Sequence, residues 1–436
     1  MKILFAAMPF DGHVNPLTAL AAHLRDRGHD VRFYTGASFA ARLSRLGLDH
    51  VPFERALEVN SDNLVEHYPE YEKLGNGPKA IEFALTKIFF ANLEAHLADI
   101  ESLRSTFAFE AMVCDAAFYA SHLIAKKHAL PVYVISPSPT PAPTSPNAPP
   151  PFFGLRPARG LFGRLQHRVV RMMLDSGSKQ GRALFEQALA RAGLPPYGGS
   201  PFDLPTSSAR AVFQLGVPGM DYPRTDWPEN HHFVGALLPP VKVAPSVAAL
   251  DPHKLARHDK LIVVSQGTLD NRDPEKLLVP SLEALQGGPH LVVACTGGRH
   301  TAELRRRFPA DNVVVEDYIP FDALMKEADL FICNGGYGSV LSALLHGVPI
   351  LAAGKLEGKS DINARLDFRG LALDLRTERP SPKRIAAGVA RMFSDPSYAE
   401  NVSHVQNELG MYSALDFMER AIVSGSAHST EVRRAS

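Results

Sequence analysis

The sequence predicts an α/β protein built as two doubly wound parallel-sheet domains. Its 436 residues exceed what one core ordinarily supports and suit two domains of roughly 200 residues each. Residues 2–8, KILFAAM, read as a strand, Leu17 to Leu24 as a helix closed by Gly28, and Val31 to Tyr34 as a second strand; this β-α-β opening marks a parallel sheet. The same punctuation returns between Ala328 and Gly354, where an apolar strand, a glycine turn, a helix and another strand follow one another.

Lys+Arg and Asp+Glu both number 46, so the formal net charge is zero and no global attraction draws the chain to nucleic acid or to an anionic membrane. Cys114, Cys295 and Cys333 each end or interrupt an apolar run, which reads as buried thiols rather than disulfide or metal partners and suits a reducing cytoplasm. The opening on Ile3-Leu4-Phe5 has no charged leader with a cleavage site, and no apolar run approaches the ~20 residues of a membrane span.

Taken in order, the first strand leads into PFDGHVNP, whose Asp11, Gly12, His13 and Asn15 should face a crevice, because ligands of such sheets bind at the carboxyl ends of the strands. His13 stands where chemistry is expected, and imidazole is suited to proton transfer near neutral pH. Ser61 to Leu103 is polar and then amphipathic, suggesting long helices. Ala111 to Asp115 is a strand ending at a carboxylate, and Asp115 reads either as a cap for the helix running to His128 or as a partner for an imidazole. Val132 to Ile135 is a further strand. The prolines of Ser136 to Pro151 exclude helix and central strand and predict a stiffened loop. In the segment that follows, Phe152, Phe153, Leu161, Phe162 and Leu165 interleave with Arg156, Arg159, Arg164, Arg168 and Arg171. It reads as a solvated amphipathic helix, or as a lid that also makes transient contact with a membrane surface. Phe83, Phe89, Phe118, Phe152 and Phe153 are candidate walls for an apolar ligand, with core packing as the other reading. The adjacent His231 and His232 read as a surface loop rather than a ligand pair.

Residues 237–254 read as an interdomain linker. Strands at Leu261–Val264 and Leu291–Cys295 then end in Ser265-Gln266-Gly267-Thr268 and Thr296-Gly297-Gly298. After Leu330–Cys333, Gly335, Gly336 and Gly338 turn the chain, Ser339 can cap the next helix, and Gly347 with Pro349 ends it. Glycines leading into a helix N-terminus offer free N–H groups to an anion, although an ordinary strand-to-helix turn has the same residues.

The stretch CNGGYGSVLSALLHGVP, followed by Asp361-Ile362-Asn363-Ala364-Arg365, resembles the donor-sugar signature of the UDP-glycosyltransferase family, and GHVNP matches that family's pattern at His13. The likeness runs along nearly the whole chain and points to its bacterial natural-product branch. It implies the GT-B arrangement, two facing Rossmann-like domains with a cleft between them. Residues 1–240 would bind the acceptor and 241–410 the donor, 411–423 would be a helix crossing back to the first domain, and 424–436 a flexible tail. It implies His13 as general base, oriented by Asp115, with Gly12, Thr268, Asn334, Gly336, Gly338 and Ser339 around the donor diphosphate. Tyr318 would stack on the base, with Ile319 reading its edge. Several positions depart from the family pattern. Phe321 replaces a frequent glutamine, Asn334 a histidine, Ser342 a ribose-binding glutamate, and Lys359 with Ser360 the acidic-plus-glutamine pair that holds sugar hydroxyls; Glu357 and Asp361 lie close enough to take over.

The expectation is therefore inverting hexosyl transfer from a UDP- or dTDP-sugar to a hydroxyl of a lipophilic small molecule. It needs no metal or other cofactor and no nucleic-acid partner, and the enzyme would be a cytoplasmic monomer or homodimer. A non-catalytic nucleotide-binding protein and a nucleotide-sugar epimerase on the same fold are the alternatives.

Overall fold

The computed structural model describes residues 1–75, 77–141, 148–237, 252–267 and 271–425. The expected boundary at 240/241, most of the linker, Thr268, the middle of the proline-rich segment and the tail beyond Gly425 lie outside the described residues.

The first sheet contains β1 (Lys2–Ala6), β2 (Asp30–Thr35), β3 (Asp49–Pro52), β4 (Ala111–Asp115), β5 (Val132–Ser136), β6 (Ala211–Gln214) and β7 (His231–Phe233) in the order β3-β2-β1-β4-β5-β6-β7. The second contains β8 (Leu261–Ser265), β9 (Leu291–Cys295), β10 (Val313–Glu316), β11 (Leu330–Cys333), β12 (Ile350–Ala352) and β13 (Ala372–Asp374) in the order β10-β9-β8-β11-β12-β13. Pairing is parallel throughout; Ile3 lies opposite Ala111, and Leu330 opposite Ile262. The central strands are apolar at nearly every position because helices cover both faces of each sheet. In both sheets the strand order reverses beside the first strand, between β1 and β4 and between β8 and β11, which places a ligand crevice at each carboxyl edge.

The helices that position the site are α1 (Asp11–Asp26), α2 (Leu93–Thr106), α3 (Ala120–His128), α4 (Gly160–Arg191), α5 (Tyr337–Leu345), α6 (Lys359–Phe368), α7 (Pro382–Ser394), α8 (Ser397–Gly410) and α9 (Ala414–Ser424). Three expectations need correction here. PFDGHVNP is not a loop before the first helix: the N–H groups of His13 and Val14 both bond Phe10 O at 2.9 Å, so α1 starts at Asp11 and Pro16 forfeits a single N–H in its second turn. The long helices expected between 61 and 103 are short pieces, Leu64–His67, Pro78–Phe83 and a π-turn at Ala84–Phe89, before α2; Pro69 and the Gly75–Pro78 stretch interrupt them. His231 is also not on a surface loop. It opens β7, is buried against Trp227 at 4.4 Å, and its Nε2 lies 3.0 Å from Gln214 Oε1.

Between the two sheets one apolar cluster is continuous from Ile3, Phe5 and Phe213 to Phe331, Val340 and Met418. Polar contacts join the domains across it. Tyr337 Oη donates to Leu215 O at 2.8 Å, Arg365 Nε to Asp221 Oδ1 at 2.7 Å, and Arg369 to the carbonyls of Asp221 and Pro218. Helix α9 lies on the first domain, where His23 Nε2 meets Glu419 Oε2 at 2.7 Å and Phe417 packs on Phe213. Arg27 pairs with both Asp416 and Glu419. Among the described residues no helix is long and apolar enough to cross a membrane.

Burial lowers His96 and His231 to about 4, so both rings are neutral in the native state and gain a proton on unfolding below their ordinary range. The unfolded chain therefore binds more protons between about pH 6.5 and pH 4, and stability falls as pH falls through that window, by about 1.4 kcal/mol per ring for each unit. Melting curves recorded downward from neutral pH should show this loss; a midpoint level to pH 4.5 would contradict it.

Candidate active site

The cleft is framed by the carboxyl edges of the two sheets. At the first, β1 delivers the start of α1 and β4 delivers Asp115. His13 Nδ1 donates to Asp115 Oδ1 at 2.7 Å, while Asp115 also accepts the N–H groups of Met8 at 2.8 Å and Ala117 at 2.7 Å. Asp115 is buried and does not cap α3, which starts five residues later. The carboxylate, fixed by two main-chain donors, sets the ring's orientation and leaves Nε2 without a partner among the described residues. The Phe10 ring stands edge-on to the imidazole at 5.9 Å. Arg42 pins this turn by donating to Asp11 at 2.5 Å and Asn15 at 2.6 Å; nothing near Arg42 in the sequence signals that role. Gly12 is exposed beside His13, with open space where a Cβ would stand.

At the second edge, the N–H groups of Tyr337, Gly338 and Ser339 make no hydrogen bond among the described residues, so the N-terminus of α5 carries an open set of donors. Ser339 is not the N-cap residue, which is Gly336, and among the described residues its side chain accepts no main-chain N–H. Asn334 has partners within the protein. Its Nδ2 donates to Gln266 O and its Oδ1 accepts Gly336 N–H at 3.3 Å, so it braces the turn before α5. Gln266, wholly buried, donates to Asp273 O and accepts from Leu277 and Leu278 N–H, which fixes the loop after β8. Gly335 is required here: its φ is +93°, and a Cβ would lie 2.1 Å from Asn363 Oδ1. Helices α1 and α5 pack together, so the two edges belong to one cleft.

Around these centres, Tyr318 is 73% exposed and donates to Gly297 O at 3.1 Å, which holds its ring over the turn after β9; Ile319, beside it, packs partly into the core. Ser342 is buried on α5 and presents almost no surface to a ribose. Lys359 is buried with Nζ on Glu357 Oε2 at 2.9 Å, and Glu357 also accepts from Tyr71 Oη across the cleft at 3.2 Å. Asp361 and Ser360 face the first domain. Asp361 accepts Phe152 N–H at 2.6 Å and Gly154 N–H at 2.8 Å, while Ser360 Oγ donates to Phe152 O at 3.4 Å. Both residues therefore clamp the loop after the proline-rich segment instead of meeting donor hydroxyls. Burial raises the Asp361 carboxyl above the ordinary carboxylate range, against the opposing pull of Arg365 and the two N–H groups. The clamp holds Phe152 at φ +75°, and a Cβ at Gly154 would lie 2.9 Å from Ser360 O.

The candidate acceptor aromatics separate into two groups. Phe118 is sealed beneath Tyr34 and His96, and Phe83 is buried against Tyr68 and Tyr71, so both back the wall rather than line it. Phe89, Phe152 and Phe153 are half-buried, with Phe89 against Tyr119 and Phe152 against Phe202. Arg272 and Arg299, single arginines in the loops after β8 and β9, were not legible as site residues. Arg272 donates to Asp62 O at 3.1 Å and Arg299 to Asp62 Oδ1 at 3.4 Å, bridging the cleft on the donor side. The signal for them was their place after strand ends.

Known proteins resemble this chain in sequence and in fold. Residues 288–413 match the family model described as "Erythromycin biosynthesis protein CIII-like, C-terminal domain". The chain is 31% identical to 4'-demethylrebeccamycin synthase of Lentzea aerocolonigenes over 97% of its own length and 98% of that protein. It superposes on the calicheamicin glycosyltransferase CalG4 with a TM-score of 0.71 at 20% identity, covering 99% of each chain. On the glycosyltransferase VinC in complex with dTDP, the TM-score is 0.67 at 20% identity, covering 97% of this chain and 99% of that one.

Proposed function

This chain belongs to the UDP-glycosyltransferase family and is a glycosyltransferase of GT-B fold, and we propose that it moves a hexose, with inversion, from a UDP- or dTDP-sugar to a hydroxyl of a lipophilic small molecule. The observation that carries this reading is the His13–Asp115 pair at the β1/β4 edge, opposed by the open N-terminus of α5 at the β8/β11 edge.

His13 Nε2 takes the proton of the acceptor hydroxyl as its oxygen bonds the anomeric carbon. The bond from that carbon to the diphosphate oxygen breaks, and its electron pair leaves with the nucleotide. Asp115 stabilises the imidazolium that forms. The N–H groups of Gly338 and Ser339 receive the charge gathering on the diphosphate, with the dipole of α5 behind them. Gly336 shapes that turn through its bond to Asn334, and Thr268 completes the proposed donor contacts. The exposed face of Tyr318 takes the nucleotide base, and Ile319 follows it. Glu357, at the cleft edge and held by Lys359, takes the place of the usual pair on the sugar hydroxyls. Phe89, Phe152 and Phe153 meet the acceptor.

The scheme needs no metal and no further cofactor. The dTDP held by VinC supports a thymidine donor, and the family's usual nucleotide supports uridine. The place of action is the cytoplasm, with the protein a monomer or homodimer.

The experiment is product analysis with α-linked UDP- and dTDP-hexoses and a panel of apolar alcohols and phenols. A β-linked glycoside, read by the anomeric proton coupling, is expected; an α-linked product would contradict a single in-line displacement. Conversion of donor without acceptor would point to the epimerase instead.

A further inference from the structure

Helix α4 presents an apolar face that the fold leaves uncovered. Its C-terminal half is packed, with Leu174, Gly177, Gly181 and Phe185 buried, and Gly177 lies close enough to Pro78 that a Cβ would meet its carbonyl at 2.7 Å. Its N-terminal half is different. Leu161 is 83% and Phe162 90% exposed, and Leu165, Val169 and Met172 are exposed with them. At 3.6 residues per turn these five side chains fall within an arc of about 100°. Arg164 and Arg168 border that arc and make no ion pair or hydrogen bond among the described residues. From Phe152 to Leu174 the chain has five arginines and no carboxylate.

We propose that this stripe is an interfacial docking surface for an anionic phospholipid bilayer, with the apolar side chains entering the headgroup boundary and Arg164 and Arg168 meeting lipid phosphates. Charge complementarity selects this occupant. A second copy docked stripe to stripe would bring more arginines and no carboxylate, whereas an anionic bilayer supplies both an apolar layer and negative headgroups. The helix begins six residues after Gly154, whose loop is fastened to Asp361, so docking would hold one wall of the cleft at the bilayer, where a lipophilic acceptor partitions.

The test is co-sedimentation of the full chain with vesicles of phosphatidylcholine containing about 30% phosphatidylglycerol, and with pure phosphatidylcholine. The wild type is expected to pellet with the anionic vesicles only, and less as salt rises. Arg164→Glu/Arg168→Glu and, separately, Phe162→Ser/Leu165→Ser should each weaken binding about tenfold or more. These side chains are exposed, so the melting temperature should not change. Absent pelleting, or equal pelleting of wild type and both variants, would overturn the proposal. So would a dimer in sedimentation velocity that Phe162→Ser dissociates, which would assign the stripe to a second copy. Vesicle binding needs no donor and no turnover, so its failure leaves the transfer reaction standing.

Discussion

His13→Ala should lower the rate of sugar transfer by about 10²- to 10⁴-fold while nucleotide binding stays as in the wild type. The proposed base and the proposed donor cradle stand at the edges of different sheets. His13 is held by Asp115 at the edge of the first sheet, whereas the free N–H groups of α5 belong to the second. Removing the imidazole leaves the acceptor hydroxyl with its proton and leaves the diphosphate donors intact. Asp115→Asn should fall in the same range, because an amide in the place of Oδ1 no longer supports the ring's charged form. Steady-state transfer rates read beside nucleotide titrations separate the two effects. Equal product from His13→Ala and wild type would remove the base assignment.

Arg365→Met should destabilise the protein by about 3–5 kcal/mol, the cost of leaving a buried charge unpaired. Asp221 and Arg365 are both nearly inaccessible and meet at 2.7 Å across the domain junction. Burial alone would raise the Asp221 carboxyl, but Arg365 and the N–H of Tyr222 hold it below the ordinary range. Asp221 also accepts from Gln214, and the guanidinium lies over the Tyr222 ring at 4.7 Å, so the pair organises both sides of the junction. Removing only the cation strands the carboxylate; Asp221→Asn with Arg365→Met should recover much of the loss. Urea unfolding of the single and double variants measures this. A single variant as stable as wild type would contradict the assignment of a buried charge pair.

The architecture was legible because its signals are local. Apolar runs such as LFIC and AMVCD, short and bounded by turn signals, read as strands covered on both faces, and the glycine turn before α5 announces a strand-to-helix reversal. His13 and Asp115 were legible for a related reason: Asp115 ends a strand and His13 lies just beyond the end of another, where a parallel sheet presents its residues to the crevice. The rest depended on partners distant in sequence. Asp361 looked like a donor contact because it sits beside the sugar-binding positions, yet the N–H groups that claim it belong to Phe152 and Gly154, more than 200 residues earlier. The bond from the Asn334 amide to the carbonyl of Gln266, just past the end of β8, was likewise out of reach, because its partner stands 68 residues earlier. Phe118 looked like a pocket wall because aromatic character does not say whether a residue in the turn between β4 and α3 points into the core or into the cleft. The start of α1 was missed because Pro16 reads as a loop residue, although the bonds to Phe10 O begin the helix before it.

The central claim is that the turn from Asn334 to Ser339 takes the diphosphate of a nucleotide-sugar donor without metal. A melting-temperature panel of the full protein with UDP, dTDP, GDP and ADP, each with and without EDTA, tests it most directly, since a ligand that binds only the native state raises the midpoint. A rise with UDP or dTDP that survives the chelator is the predicted result. No rise with any nucleotide at millimolar concentration, or a rise that EDTA abolishes, would contradict it.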